Sequence, residues 1–90
     1  MFILTIDGKE DEGAYSVMDE TGEQILYIFE DEDDSTRYAM MLEEMGYPEM
    51  HVIEIEDGVI LKTCEDYGYK YAIITTNDIV IPPDIQNDHI

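Results

Sequence analysis

The sequence predicts a small α/β (α+β) domain, a two-layer sandwich in which two helices cover one face of a mixed sheet of five to six strands. Three observations support this class. Short β-branched and aromatic runs alternate with two segments of helical periodicity. The 90 residues are enough for one domain but not for two. One pattern, an acidic helix end, then Gly-Tyr, then an apolar strand, occurs twice, at LEEMGYPEMHVIEI and at CEDYGYKYAIITT.

The amino-terminal part contains three predicted strands. The first, Phe2–Ile6, is β-branched and aromatic and stops at Asp7-Gly8. The second, over 14–19, and the third, over 24–29, are separated by the four residues ETGE, which predicts a hairpin. The acidic, glycine-containing segment DGKEDEG before them is typical of a solvated loop.

The first predicted helix starts in the acidic run Glu30–Asp34 and ends at Gly46. Negative charge is favourable at a helix start, and Asp31 or Asp33 can cap its free N–H groups. Gly46 can adopt the left-handed conformation that ends helices, and Pro48 prevents continuation. The apolar stripe, at spacing i, i+3, i+4, i+7, consists of Tyr38, Met41, Leu42 and Met45.

A strand over 51–55 and a second helix follow. We expect Asp57 to cap this helix and Gly68 to end it. Its inner stripe consists of Ile60, Thr63, Cys64 and Tyr67. A further strand covers 71–75, and residues 79–81 predict a short edge strand that Pro82 and Pro83 stop. The domain therefore spans residues 1–83, and residues 84–90 form a polar, flexible tail.

The repeated Gly-Tyr pattern explains the architecture. Each glycine closes a helix that leads into a strand, so the unit strand–helix–strand occurs twice and shares the strand over 51–55. Crossovers of this length usually join parallel strands with right-handed connections. We therefore expect both helices on one face, in a variant of the ferredoxin-like arrangement, although the strand order stays open.

The charge of the chain limits its partners. It has 23 Asp and Glu against 4 Lys and Arg, a net charge of −19. Such a chain repels phosphate backbones and anionic membrane surfaces, so we expect no nucleic acid and no membrane as a direct ligand. Three explanations of the charge remain open, namely solubility, a surface complementary to a basic protein, and adaptation to high salt.

No motif for catalysis, cofactor or metal binding is recognisable. The acidic run lacks the ligand spacing of a calcium loop, and one cysteine with two distant histidines cannot form a zinc site. Cys64 is flanked by Glu65 and Asp66, which disfavour a thiolate, so we predict a structural role. A single cysteine excludes an internal disulfide and suits a reducing compartment. The first eight residues do not resemble a signal peptide.

Two surfaces are candidates for partner binding. The first is acidic and lies on the first helix, where Met40 points away from the core stripe; its members are Glu30, Asp31, Glu32, Asp33, Asp34, Met40, Glu43 and Glu44. The second is the sheet face without helices, where Tyr27 and Tyr71, with Ile3 and Val52, would leave an apolar patch. A homodimer, a docked partner and the chain's own tail could each cover that face.

The stretches ILYIFEDEDDSTRYAMMLEEMGYPEMHVIEI, LKTCEDYGYKYAIIT and DIVIPP resemble a small acidic domain family of unknown function, number 3110, found in cyanobacteria and plastids. The resemblance runs from about Gly13 to Pro83. It implies an oxygenic phototroph and a cytoplasmic or chloroplast stromal location. It brings no activity, cofactor or catalytic residue, so no functional role is carried over to any position.

These observations predict a non-catalytic interaction or regulatory module that binds a basic protein partner, with a homodimer possible. One alternative is a nucleic-acid mimic that inhibits a DNA-binding protein. Another is a small enzyme or ligand-binding domain with a pocket beside Cys64 or His51.

Overall fold

The computed structural model describes residues 1–8, 13–78 and 80–82. The elements in chain order are β1 (Phe2–Ile6), β2 (Ser16–Met18), β3 (Gln24–Phe29), α1 (Glu32–Glu44), β4 (Met50–Glu54), α2 (Asp57–Tyr67) and β5 (Lys70–Ile74). They form a five-stranded sheet with two helices, so the α+β class is confirmed. The predicted strand over 79–81 falls partly outside the described residues, and the predicted tail lies wholly outside them.

Strand β3 organises the sheet. One of its edges pairs in parallel with β5, from Ile25 opposite Lys70 to Phe29 opposite Ile74. Its other edge pairs antiparallel with β2 near its start and with β1 at Phe29. Strand β1 pairs antiparallel with β4 over its whole length. The sheet is therefore mixed, as predicted, and β3, β4 and β5 all run in the same direction, with β1 between β3 and β4.

The segment leading into β2 fills the space where β1 and β3 diverge. The backbone N–H of Tyr15 donates to the carbonyl of Leu4 at 2.7 Å, and Thr5 forms an isolated bridge with Ala14. The predicted hairpin between β2 and β3 is present, and the Asp19 carboxylate organises its turn. It accepts from the hydroxyl of Thr21 and from the backbone N–H of Glu23, which lowers the pKa of Asp19.

The two helices lie on opposite faces of the sheet, so the prediction that both share one face is wrong. Neighbouring residues of a strand point to opposite faces, and Ile3 and Leu4 belong to different halves of the core. On one face, Tyr38, Ala39 and Leu42 of α1 pack with Leu4, Phe29 and Ile74. On the other, Ile60 and Cys64 of α2 pack with Ile3 and Ile28. The molecule therefore has three layers.

The strand order explains why the two helices lie on opposite faces and not on one face. The α1 crossover passes from β3 over β1 to β4, and the α2 crossover returns from β4 to β5, on the far side of β3. Two right-handed crossovers that travel in opposite directions place their helices on opposite faces. The unit β3-α1-β4 with β1 between its strands is a split β-α-β unit, which ferredoxin-like folds also use. Beyond that unit, the ferredoxin-like relation stays a prediction.

The helix ends follow the predicted pattern with one exception. The Asp31 carboxylate accepts from the N–H of Asp33 at 2.8 Å and caps α1, as predicted. Gly68 ends α2 in the left-handed conformation, with φ of 70°. Asp57 does not cap α2, because Glu56 occupies the cap position without a side-chain hydrogen bond. Asp57 instead lies 3.0 Å from the amino-terminal amine of Met1.

Candidate interaction surfaces

The five acidic residues at the start of α1 divide into two groups. Two have partners within the fold, since Asp31 caps the helix and the Oδ1 atom of Asp34 lies 2.8 Å from a guanidinium nitrogen of Arg37. The others, Glu30, Glu32 and Asp33, are exposed. Among the described residues, these three carboxylates have no ion-pair or hydrogen-bond partner and face solvent at the start of α1.

The second carboxylate oxygen of Asp34 has an unusual environment. Its Oδ2 atom is buried and has no hydrogen-bond partner among the described residues. Asp34 lines a cavity of about 230 Å³ between α1 and the end of β5, which Asp78 also lines. Asp78 accepts from the N–H of Thr75 at 2.9 Å, so its carboxylate is already engaged. A buried carboxylate oxygen without a partner can accept a hydrogen bond from water or from a bound group.

Three loops bring their acidic residues to one edge of the sheet. Because β3, β4 and β5 run in the same direction, the segments that follow them meet at their carboxyl ends. We call this the acidic edge; its exposed members are Glu30, Glu32, Asp33, Glu54, Glu56, Asp57 and Asp78. The last four were missed in the sequence, where they are far from α1. Strand direction is the signal that connects them.

Apart from the amino-terminal amine, which pairs with Asp57, little positive charge among the described residues offsets these carboxylates. Each described Lys or Arg side chain lies beside an acid: Arg37 beside Asp34, Lys62 3.6 Å from Asp66, and Lys70 beside Glu23. The contact with Glu23 raises the pKa of Lys70. The opposite edge of the sheet is acidic as well, through residues such as Glu20, Glu43, Glu44 and Glu49. The described surface is therefore negative at both ends.

The predicted bare sheet face does not exist, because each face carries a helix. Tyr27 and Val52 pack on the α1 face, whereas Ile3 belongs to the α2 face. Tyr71 pairs with Leu26, which packs on the α2 face, and it is 43% exposed. Tyr27 and Tyr71 therefore lie on opposite faces and cannot contribute to one patch.

Met40 lies on the outer side of α1 with 58% of its surface exposed, and Glu43 and Glu44 follow it at the exposed end of the helix. The orientation is the predicted one. A partner contact at these residues stays a prediction.

A groove that the sequence did not reveal runs between α2 and the sheet. Its volume is about 330 Å³, and most of its lining is apolar, including Ile3, Leu26, Ile53, Ile55, Val59 and Ile60. The hydroxyl groups of Thr5, Thr63 and Tyr69 and the thiol of Cys64 belong to the polar part of the lining. The Thr5 hydroxyl is buried and has no hydrogen-bond partner among the described residues. A threonine inside the apolar strand FILTI is the one sequence signal that could have pointed to it.

Cys64 lies in the core of the α2 face, the structural position that the sequence predicts. The side chain is 1% exposed, and burial raises the pKa of its thiol. The thiol therefore stays protonated at neutral pH, and a protonated thiol is a poor nucleophile. His51, the other residue considered for a pocket, is exposed and lies 3.9 Å from an Asp7 carboxylate oxygen.

Within residues 1–8, 13–78 and 80–82, no group of three or more His, Cys, Asp or Glu side chains is placed to hold a metal ion. No helix in the same ranges is long and apolar enough to cross a bilayer.

Fold and surface together define a small acidic α+β domain with a groove under its second helix. The chain belongs to the family described as Domain of unknown function (DUF3110), whose model matches residues 1–84. The match confirms the resemblance stated above and extends it to the amino terminus. No curated protein and no solved structure matches the chain.

Proposed function

We propose that this domain is a non-catalytic interaction module that binds a basic protein partner through its acidic edge. The observation that carries the proposal is the convergence of three acidic loops at that edge, while each Lys and Arg side chain that the structure describes is already engaged by an acid. Carboxylates displayed in this way attract a basic surface over a distance set by the ionic strength. The protonated, buried thiol of Cys64 supports a non-catalytic role.

The proposed partner also implies a location for the domain. A partner of this kind would be met in the cytoplasm or the chloroplast stroma of an oxygenic phototroph. The partner side should carry clustered Lys or Arg, and association should weaken as salt rises, because salt screens exposed charges.

The test compares two variants of equal charge. One removes three acids from the acidic edge, through Glu30→Gln, Glu32→Gln and Asp33→Asn. The control removes three exposed acids from the opposite edge, through Asp7→Asn, Glu20→Gln and Glu49→Gln. Immobilised wild type and both variants are used to capture proteins from a phototroph lysate at low salt, and each captured partner is then purified and titrated.

The proposal expects a salt-sensitive partner that the wild type and the opposite-edge control bind and the acidic-edge variant binds severalfold more weakly. If both variants bind the partner equally weakly, then binding depends on the net charge alone, and the acidic edge is not the binding site. Absence of any salt-sensitive partner would remove the proposal.

Nucleic-acid mimicry is the second candidate, and the placement of three acidic loops at one edge of the sheet favours it. Acids that lie in separate stretches of sequence come together along one edge, which a DNA-binding groove could contact as it contacts phosphates. Competition distinguishes the two candidates. If the partner is a DNA-binding protein that uses the same groove for the edge and for DNA, a duplex carrying its own binding site displaces it at a much lower concentration than a duplex of unrelated sequence. Any other basic partner responds equally to both duplexes, because only the phosphates compete.

A further inference from the structure

The end of α2 carries an exposed pair of stacked aromatic rings. Tyr67 is the last residue of the helix, and Tyr69 follows the left-handed Gly68. The N–H of Tyr69 donates to the carbonyl of Cys64 at 2.8 Å, which fixes the turn. The two ring centroids lie 5.7 Å apart and their planes differ by 21°. The side chains are nevertheless 72% and 56% exposed, so the rings stack in solvent and not in the core.

The aromatic pair continues one wall of the α2 groove. Tyr69 lines the groove together with Val59 and Thr63. Tyr67 comes four residues after Thr63, so it lies on the same side of the helix. Val59 is itself 53% exposed. Exposed Val59 and the tyrosine pair therefore lie along the same side of α2, with Thr63 between them.

Acidic groups stand at both ends of this wall. Glu56, a member of the acidic edge, precedes α2, and Asp66 follows Thr63 by three residues, which places it on the groove side of the helix. Lys62 lies 3.6 Å from Asp66, with 76% of its side chain exposed. Lys62 therefore offsets part of the charge of Asp66, while Glu56 keeps the start of the helix negative, and the whole chain carries a net charge of −19. An apolar groove on such a chain matches a ligand that is both apolar and positively charged.

We propose that the α2 groove binds a basic segment of the partner protein, with an arginine stacked on the Tyr67–Tyr69 pair and a neighbouring bulky apolar side chain inside the groove. This inference rests on the proposed function, because it specifies where that basic partner is anchored. A planar guanidinium stacks well on tyrosine rings, and better than an ammonium group does. A second copy of the chain is a poor occupant, since each copy carries a net charge of −19.

The test uses a synthetic peptide of alternating arginine and leucine, titrated to millimolar concentration into the full, ¹⁵N-labelled chain at low salt. Two further peptides replace every arginine by lysine or every leucine by serine. The inference expects shifts of the backbone amide signals of Val59, Thr63 and Tyr69, and weaker binding of both replacement peptides. Tyr67→Ser should lower the affinity of the first peptide roughly two- to fivefold.

Met18→Ser is the matched control, since Met18 is 61% exposed on β2 and lies outside the groove lining. It should leave the affinity unchanged. Both variants alter exposed side chains, and their amide spectra report whether the fold is retained.

The possible failures are distinguishable. Amide shifts confined to the acidic edge, with no effect of Tyr67→Ser, would overturn the groove site and leave the proposed function standing. Equal affinity for the leucine and serine peptides would overturn the apolar part of the site. Groove signals that move with protein concentration before peptide is added would show that a second copy occupies it. No shift with any of the basic peptides at low salt would tell against both the groove site and the proposed function.

Discussion

The hydroxyl oxygens of Tyr15 and Tyr38 lie 3.0 Å apart, within hydrogen-bond distance across the α1 face of the sheet. Their ring centroids are 5.5 Å apart in an edge-to-face arrangement. Tyr27, Tyr47 and Phe29 complete the cluster at similar distances. Tyr38 is 1% exposed, so the bond to Tyr15 satisfies a hydroxyl that burial removes from water. The pair couples the segment before β2 to the first helix.

This pair predicts a fall in stability at alkaline pH. Burial raises the pKa of both tyrosines above their ordinary value of 10.0, so both stay neutral in the folded chain when unfolded tyrosines ionise. Their contribution to stability is complete below pH 10 and is lost as the pH rises above it. For buried Tyr38, the loss approaches about 1.4 kcal/mol per pH unit. Urea denaturation at a series of pH values measures this slope.

The variant Tyr38→Phe tests whether Tyr38 is responsible for the loss of stability at alkaline pH. The variant should lose about 1 kcal/mol at neutral pH, because the hydroxyl bond is gone, and its stability should fall less steeply above pH 10. Tyr67→Phe alters an exposed ring and serves as the control. If the wild type and Tyr38→Phe lose stability in parallel at high pH, then Tyr38 does not carry the dependence.

Removal of the α1 cap is the second prediction. Asp31→Ala deletes the acceptor for the N–H of Asp33 and should lower the free energy of unfolding by about 1 kcal/mol. The comparison is Asp33→Ala, which keeps the capped N–H and loses only a charge in the first turn, worth a few tenths of a kcal/mol. Chemical denaturation of both variants gives the two values. Equal losses would assign the effect to charge, not to the cap.

The local elements of this fold could be predicted from the sequence because they depend on local chemistry. Strand β3 has β-branched and aromatic residues, α1 has an acidic start with a periodic stripe, and Gly68 ends α2 as its position predicted. Asp57 does not cap α2, because Glu56 occupies the cap position, and Asp57 pairs instead with the amino terminus, which is distant in sequence. No local pattern encodes a contact of that kind.

The arrangement of the helices depends on strand order, which the sequence did not determine. Once β5 is placed on the far side of β3, the second crossover must return, and α2 lies opposite α1. The same step abolishes the bare face, separates Tyr27 from Tyr71, and creates the α2 groove. The acidic residues at the start of α1 could be identified from the sequence. That they share one edge of the sheet with Glu54 and Asp78 could not.

The third prediction concerns the oligomeric state. With a helix on each face, the sheet offers no open face for self-association, and the net charge of −19 opposes contact between copies. We expect a monomer by sedimentation velocity both at about 0.01 M salt and at about 1 M, where the Debye length falls from about 30 Å to about 3 Å. A dimer at both salt concentrations would mean that an apolar surface, such as the α2 groove, pairs with itself.

The fourth prediction compares the same change, glycine to alanine, at the two ends of α2. Gly68 has φ of 70°, and a Cβ atom added there meets no other atom within 4 Å, so any cost of Gly68→Ala comes from the backbone alone. Left-handed backbone disfavours alanine by about 1 kcal/mol or more, and stability should fall by that amount.

Gly58, in the first turn of α2, also has space around it but has no positive φ. Gly58→Ala should therefore stabilise the chain, by up to about 1 kcal/mol, through helix propensity and a less flexible unfolded state. Urea denaturation should give shifts of opposite sign, and a neutral Gly68→Ala would mean that α2 does not end in a left-handed turn.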